Sequence, residues 1–231
     1  DGTMAAYSIH RSQKVVAPSE FITDGTYEDC AVDIDDIYVV VKRTINSSTK
    51  HYIERLDDDR TTDASFQLFD GSADGNKPTS TTVSGLTHLE GKTVECVRDD
   101  IFLGEKTVSS GQITIDQVPT TYVEIGLHHD VLAKTLPAEP RLASGTMVGR
   151  KKRIVAVSPV LNQTQNIAIN GNEVSLKQFP YTLDSSETLF TGRKRVTPLL
   201  GYSEEAQISI TQTKPLFFTL LSLEYSVSGS Q

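Results

Sequence analysis

A hydrophobic period of two residues runs through this sequence and limits its fold more than any other feature. In "EDCAVDIDDIYVVVKRTI", the apolar positions Cys30, Val32 and Ile34 alternate with small or acidic ones. Such alternation is typical of strands with one buried face, because successive side chains of a strand point to opposite sides. No window of a dozen residues carries an apolar stripe at helical spacing. The pattern therefore predicts an all-β fold.

Turn residues separate these runs and predict how the strands connect. Asn46 to Ser48 form a polar turn between the first run and "KHYIERL". Asn170-Gly171 lies inside "NIAINGNEVSL", and both residues accept the positive φ angles of a type I′ turn. Further short runs, among them "EKTV", "QITI", "VEIG" and "AQISITQT", have the same character. We expect a series of antiparallel hairpins.

Segments rich in turn residues divide the chain into four predicted parts. Residues 1–60 form a first set of antiparallel strands, and residues 61–84 form a connector with one short strand, "SFQLF". Residues 85–140 form a small β-barrel. The segment "LPAEPRLASG" marks the next junction, and residues 141–231 form a sandwich-like C-terminal β domain. The predicted architecture is a succession of small antiparallel β units.

Composition is that of a globular protein. The 231 residues are 37% hydrophobic and 23% charged, which are ordinary values. The longest apolar run, "PLFFTLLSL", is shorter than the roughly 20 residues of a membrane-spanning helix, so we expect no such segment. The opening "DGTMAAYSIH" has neither an initiator Met nor the pattern of a signal peptide, so we expect a piece of a longer protein.

Charge is distributed unevenly along the chain. The formal net charge is −8, with −7 in residues 1–80 and +4 in residues 141–231. An acidic front and a basic back favour head-to-tail association of copies, or distinct partners at the two ends.

The two cysteines, Cys30 and Cys96, both lie in alternating apolar runs. A small apolar residue at such a position is typically buried, so we predict two buried free thiols. No pair of cysteines has the spacing of a zinc site.

The sequence carries no recognisable catalytic constellation. His128-His129-Asp130 is the densest candidate, but neighbouring residues on a strand point to opposite faces, so the two imidazoles serve different surroundings. Nucleophile-elbow and phosphate-binding glycine motifs are absent. We expect neither an enzyme nor a cofactor.

One loop has half of a calcium-binding motif. Asp70, Ser72 and Asp74 followed by Gly75 match the opening of such a loop, but Thr81 occupies the twelfth position, where a bidentate Glu closes the coordination shell. A plain connector is the favoured interpretation, and calcium binding by residues 70–74 is left open.

Two basic tracts stand out in this acidic chain. They consist of Arg150, Lys151, Lys152 and Arg153, and of Arg193, Lys194 and Arg195. On strands their charges divide between two faces, and no aromatic residue interrupts either tract, as stacking on nucleic acid requires. We predict that the tracts lie near one another at a subunit interface, facing an acidic surface of a neighbouring copy. Contact with a nucleic-acid backbone and a solvated strand end are the alternatives.

Blocks spread over nearly the whole chain carry a family resemblance. They include "FITDGTYEDCAV", "GLTHLEGKTVECV", "TLPAEPRLASGT", "GRKKRIV", "FTGRKRVTPLLGYS" and "KPLFFTLLSLEYSV". Together and in this order they resemble the C-terminal part of tail nozzle proteins of short-tailed bacteriophages, which are also called tail tubular protein B. Packaged-DNA stabilisation proteins are functional relatives of this family.

The resemblance implies a structural virion protein of the phage tail, made in the host cytoplasm. Residues 1–60 would be the last strands of a propeller-like domain. The full-length protein would form a homo-oligomeric ring, contact the tail adaptor and other tail proteins, and surround the exiting genomic DNA without reading its sequence. It would help to retain the packaged DNA and to eject it. The resemblance carries over no catalytic residue.

Charge suggests how such a ring would work, because an acidic channel wall repels phosphates and lets DNA slide. We therefore expect the acidic excess of residues 1–80 to face channel or solvent. A receptor- or carbohydrate-binding tail module is the main alternative, although a 7% aromatic content without Trp disfavours sugar-stacking platforms. A depolymerising enzyme is a third hypothesis.

Overall fold

The computed structural model describes residues 2–139, 141–142, 145–146, 148–177, 188–197 and 201–229. Twenty strands and two single turns of 3-10 helix, Arg11–Gln13 and Thr87–Leu89, make up the regular structure of these residues. The chain is all-β, with several small antiparallel sheets, as the period of two predicts. Neither helical turn in the described part has the length or apolarity needed to cross a membrane.

The chain divides into two compact units, residues 1–129 and residues 130–231. The first unit contains eleven strands: β1 (Met4–His10), β2 (Val15–Phe21), β3 (Thr26–Asp33), β4 (Asp36–Ile45), β5 (Ser48–Arg55), β6 (Asp63–Phe69), β7 (Thr82–Ser84), β8 (Thr93–Arg98), β9 (Ile101–Thr107), β10 (Gln112–Thr114) and β11 (Tyr122–Leu127).

Four sheets form the first unit. Strands β1 and β2 pair as an isolated hairpin, and β3, β4 and β5 form a sheet in that order. A four-stranded sheet has the order β6-β11-β8-β9, and β10 pairs with β7. The main core packs between these last two sheets. It consists of Leu68, Val83, Leu86, Leu89, Val94, Cys96, Val108, Ile113, Ile115, Val123, Ile125 and Leu127.

Among its described residues, the second unit contains nine strands: β12 (Leu132–Lys134), β13 (Arg141–Leu142), β14 (Gly145–Thr146), β15 (Lys152–Thr164), β16 (Ala168–Ile169), β17 (Asn172–Glu173), β18 (Phe190–Arg193), β19 (Ser209–Thr211) and β20 (Leu220–Gly229). The sheet orders are β12-β19-β16-β17 and β18-β15-β20, and β13 pairs with β14. The core consists of Ala138, Ile154, Val157, Leu161, Ile167, Ile169, Val174, Leu176, Phe190, Ala206, Ile208 and Ile210.

The turns follow the chemistry of their residues. Asn170 and Gly171 connect β16 to β17 with φ angles of 50° and 76°, which confirms the predicted type I′ hairpin. Asn46 and Ser47 connect β4 to β5 with φ angles of 46° and 60°. Asn accepts this region because its short polar side chain bonds locally to the backbone.

Strand pairing departs from the predicted segmentation in two places. The strand inside the 61–84 connector is β6, which pairs with β11 and so completes the sheet of the following segment. Within the 85–140 segment, β12 pairs with β19 of the second unit. Pairing partners distant in sequence therefore decide where each unit ends.

The prediction for Cys30 is wrong. Cys96 is a buried free thiol, whereas Cys30 is exposed. Strand β3 lies at the edge of its sheet, and most of its residues are exposed on both faces, so alternation in the sequence does not lead to burial there. Burial raises the pKa of the Cys96 thiol to about 12, which keeps it protonated at neutral pH.

Candidate functional site

The first basic tract leads into β15, and the strand separates its charges. Lys152 points inward with no exposed surface, and its Nζ lies 2.8 Å from Glu139 Oε1. Ile154 is also buried, so Arg153 between them points to the opposite face. Arg150 and Lys151 precede the strand and are exposed. The Lys152 side chain thus contributes an ion pair within the fold, and its surface is closed to a partner.

The second tract joins the same sheet. Arg193 lies opposite Val160 in the β15–β18 pair, and three residues away on each segment Val196 lies opposite Val157. Arg195 therefore lies beside Ser158 and on the same side as Arg193, while half-buried Lys194 alternates to the other side. Arg193 Nη2 lies 2.6 Å from Glu224 Oε1 on β20, and Glu224 lies opposite Ser158.

We call the solvent side of this sheet the basic face, defined by Arg153, Arg193 and Arg195. Small hydroxyl residues from β15 and β20 separate the guanidinium groups: Ser158, Ser222, Ser226 and Ser228. At about 3.3 Å per residue, Arg153 lies roughly 17 Å along β15 from the level of Arg195 and roughly 23 Å from that of Arg193. Nε of Arg153 is buried and has no hydrogen-bond partner.

The structure thus brings three of the seven predicted residues onto one face. Arg150 and Lys151 lie before the strand, Lys194 alternates away, and Lys152 is buried. The contact role of these residues with a subunit or nucleic acid stays a prediction.

An opposite charge collects at the turn between β3 and β4. Asp33 lies directly opposite Asp36 across the two-residue loop of Ile34 and Asp35, and all four residues are exposed. Arg55 on β5 lies 3.6 Å from Asp36, a contact between two half-exposed side chains. We call residues 33–36 the acidic tip.

A buried arginine connects two sheets of the first unit, and sequence reasoning missed it. Arg43 on β4 is 1% exposed, and its guanidinium makes bidentate pairs with Glu54 and Asp63 at 2.8–3.1 Å. Nη1 also donates to the carbonyl oxygen of Asp24 at 2.9 Å, so all five donors have acceptors. Burial alone would lower the pKa of Arg43, but the two carboxylates outweigh it and raise the pKa above its ordinary value.

The signal for this arginine was present in the strand pattern. Arg43 is in phase with Val39, Val41 and Ile45, which are all buried. A charge in phase with buried apolar residues predicts a paired interior group. Asp63, on β6, supplies its partner from a segment that the sequence assigned to a connector.

A cavity of 620 Å³ lies beside β4 and β5 in the first unit. Its lining residues include Tyr27, Tyr38 and Tyr52, together with His88 and His129. Arg55, Asp57 and Arg60 also line it and form a chain of ion pairs, with 2.9 Å between Arg55 Nη2 and Asp57 Oδ2. The volume lies within the roughly 300–1,000 Å³ of ligand pockets.

The two histidines of the His128-His129-Asp130 cluster contact different groups. His128 Nδ1 lies 2.9 Å from Glu95 Oε1, whereas His129 lines the cavity. His88 packs against Phe66, and burial lowers its pKa. Across the described residues, no three His, Cys, Asp or Glu side chains form a group that could hold a metal ion.

The half calcium motif is held by contacts within the chain. Oδ2 of Asp74 accepts hydrogen bonds from the backbone N–H of Gln67 at 3.0 Å and from Arg60 at 3.2 Å. Asp70 lies 3.4 Å from Lys77 Nζ, and Ser72 donates to the carbonyl oxygen of Gln67. Both carboxylates of the motif are therefore paired with cations of this chain.

Comparison with known proteins finds no match to any protein-family model or to any curated protein.

Proposed function

We propose that this chain is a structural subunit of a larger assembly, of the nozzle type found in the tails of short-tailed bacteriophages, and that it acts without catalysis. The observation that carries the proposal is the apolar surface of β1 and β2. Tyr7, Ile9 and Val16 are 63–64% exposed, and the pairing places all three on one face of the hairpin with Pro18.

Such a hairpin needs a partner surface. An isolated two-stranded hairpin is marginal in water, and an apolar face gains stability only when it is covered. The tip of β3 and β4 also carries exposed apolar residues, Val32 at 68% and Ile34 at 90%. A subunit whose strands complete their packing in an assembly accounts for both features.

The family resemblance of the sequence supplies the kind of assembly. In this proposal, copies form a ring in the virion tail, beside the tail adaptor and other tail proteins, and the ring helps to retain and eject packaged DNA. Exposed acidic side chains of the first unit suit a channel wall along which phosphates slide. The charged residues of the first unit support this assignment, because it has 22 acidic and 11 basic side chains.

The test is the association state of the chain. We expect light scattering to give a mass that rises with concentration, and negative-stain images to show particles of repeated subunits. Tyr7→Ser together with Ile9→Ser should reduce the mass toward the monomer, whereas Ser8→Thr, on the other face, should not. A strictly monomeric wild-type chain at all concentrations would contradict the proposal.

A receptor- or carbohydrate-binding tail module is the second candidate, favoured by the cavity in the first unit. Three tyrosines are among its lining residues, beside paired carboxylates and guanidinium groups, a combination that suits sugar rings and hydroxyls. Overall aromatic content disfavours such a site, but the fold gathers Tyr27, Tyr38 and Tyr52 in one place. Binding on a glycan array that Tyr52→Ala abolishes would support this function, and an array without signal would exclude the sugars it displays.

A further inference from the structure

The backbone of the acidic tip is strained. Ile34 has a φ of 56° and is 90% exposed. For a β-branched residue this left-handed conformation is an outlier, and two-residue hairpin loops ordinarily place Gly, Asn or Asp there. Because the Ile34 side chain lies in solvent, no contact within the chain compensates for this strain.

The electrostatics of the tip add to this cost. Like charges directly opposite one another on a strand pair are destabilising, and Asp33 lies opposite Asp36 with Asp35 in the loop between them. Arg55 contacts Asp36 of the tip at 3.6 Å, between two half-exposed side chains, and pairs more closely with Asp57 outside the tip, at 2.9 Å. The isolated chain would be more stable without the strained Ile34 and the opposed aspartates. These residues therefore have the features of a binding surface for a cationic partner that also carries some apolar area.

The basic face of the second unit has the complementary chemistry. Arg153, Arg193 and Arg195 project from one face of the sheet formed by β18, β15 and β20. Leu221 on β20 is 63% exposed and adds apolar area to the same sheet. The second unit, with 11 basic and 8 acidic side chains, has a formal charge of +3, whereas that of the first unit is −11.

We propose that the acidic tip of one copy docks on the basic face of a second copy. This inference rests on the proposed function in one respect, that copies of the chain associate. Carboxylates of Asp33 and Asp36 accept hydrogen bonds from Arg195 and from Arg193, roughly 7 Å away along the strand, while Arg153 at the far end of the face adds longer-range attraction. Ile34 contacts the apolar side chains of β20. Each copy presents both surfaces, so the contact is head-to-tail and repeats from copy to copy.

A second copy fits the basic face better than a nucleic acid does. A nucleic acid would bring a continuous line of phosphates past Glu224, whereas the acidic tip brings three carboxylates together with the exposed apolar side chains of Val32 and Ile34. A contact between copies also places guanidinium groups beside the like-charged pair of Asp33 and Asp36, which relieves the repulsion between these carboxylates.

The experiment is a charge swap in the complete chain. The tip variant is Asp33→Lys with Asp36→Lys, and the face variant is Arg153→Glu with Arg195→Glu, which leaves the Arg193–Glu224 pair in place. Matched controls with the same change in charge at exposed positions are Asp58→Lys with Asp59→Lys, and Lys50→Glu with Lys134→Glu. Circular dichroism establishes that each variant is folded, and sedimentation measures its self-association.

We expect self-association of the tip variant and of the face variant to be about tenfold weaker or more, because like charges then meet at the contact. Both controls should behave like the wild type. An equimolar mixture of the two variants should associate again, since the lysine tip of one meets the glutamate face of the other, and so should a chain that carries both swaps.

Three results would overturn the inference, and each has a different meaning. If the wild type associates and both variants associate equally well, the contact lies elsewhere while the proposed function stands. If the wild type is a monomer at all concentrations, both fail. If the face variant loses binding to a fluorescent DNA duplex but keeps its self-association, the basic face is a nucleic-acid surface and the proposed contact is wrong.

Discussion

At the scale of single residues, the first unit depends on a fully paired interior charge. Arg43 is buried between Glu54 on β5 and Asp63 on β6, and its five donors are all used. Thr23 also donates to Asp63 at 2.6 Å. Because the arginine contacts two different sheets, it couples their packing.

Replacing Arg43 by Met should destabilise the first unit by about 3–5 kcal/mol, the usual cost of breaking a buried ion pair from one side. The loss arises because two largely buried carboxylates remain without a cation. Urea unfolding followed by circular dichroism measures the change. Adding Glu54→Gln and Asp63→Asn to the same chain should recover part of the loss, and a triple variant no more stable than Arg43→Met would contradict this account.

Asp99 should contribute a pH-dependent part of stability. Partial burial alone would raise its pKa, but hydrogen bonds from Thr120, Thr121 and Tyr122 outweigh burial and lower the pKa below its ordinary 3.8. A lowered folded-state pKa stabilises the protein above the ordinary value, and this stability is lost as pH falls through the folded-state pKa. Asp99→Asn should therefore be less stable at neutral pH and should lose less stability on acidification below about 3.8.

Urea unfolding of both proteins across this pH range is the measurement for Asp99. The amide is a fair replacement because Asp99 has a φ of 48° in the β8–β9 turn, a conformation that Asn also accepts. Parallel pH profiles for the two proteins would show that the hydrogen bonds do not lower the pKa of the Asp99 carboxyl group.

At the scale of elements, the strands differ in how far the chain itself supports them. Strand β11 is paired on both edges, with β6 and β8, and its residues are almost all buried. Strand β1 pairs only with β2, and most residues of this hairpin are exposed. Local stability is therefore uneven within the first unit.

Hydrogen exchange should separate these elements. Amides of β1 and β2 should exchange with an opening free energy close to zero, as in frayed segments. Those of β8 and β11 should exchange only with global unfolding. Mass spectrometry of peptic fragments measures both in one experiment. Protection of β1 and β2 should rise with protein concentration if copies cover them, and equal protection of all strands in the dilute chain would contradict the prediction.

The strain at Ile34 can be tested through the stability of the β3–β4 hairpin. Ile34→Gly should stabilise the β3–β4 hairpin by up to about 1 kcal/mol, since relief of roughly 1–2 kcal/mol of left-handed strain exceeds the entropy cost of Gly. Asn46→Gly in the β4–β5 turn is the matched control, because Asn already tolerates its φ of 46°. Thermal unfolding compares the two, and a decrease in midpoint for Ile34→Gly would mean that its side chain supports the fold.

At the scale of the whole molecule, the two units differ in the sign of their net charge. The first unit has a formal charge of −11 and the second of +3. Lys152 and Arg43 are engaged inside the fold and are closed to a partner, whereas the carboxylates of the acidic tip and the side chains of Arg193 and Arg195 are exposed. This division favours association between unlike surfaces of different copies.

Self-association should weaken with salt. Between 0.1 M and 1 M NaCl the Debye length falls from about 10 Å to about 3 Å, so we expect an apparent dissociation constant about tenfold larger at the higher concentration. Sedimentation across a salt series is the measurement. Association that strengthens with salt would assign the contact to apolar surface such as that of β1 and β2, not to the acidic tip.

The properties of neighbouring residues in the sequence were sufficient to predict the fold class and several turns. The period of two predicts strands because side-chain direction depends only on the neighbouring backbone, and Asn170-Gly171 predicts its hairpin because both residues accept a positive φ. The same alternation also divides each basic tract between two faces. These properties need no knowledge of distant residues.

Only the tertiary structure decided which faces are buried and which segments meet. Cys30 is exposed because β3 became an edge strand, and Lys152 is buried because Glu139 packs beside it. Arg153 and Arg195 share a face because β18 and the segment that follows it pair with β15 in one particular register. Edges and registers follow from contacts between segments far apart in the chain, and a pattern of neighbouring residues does not contain them.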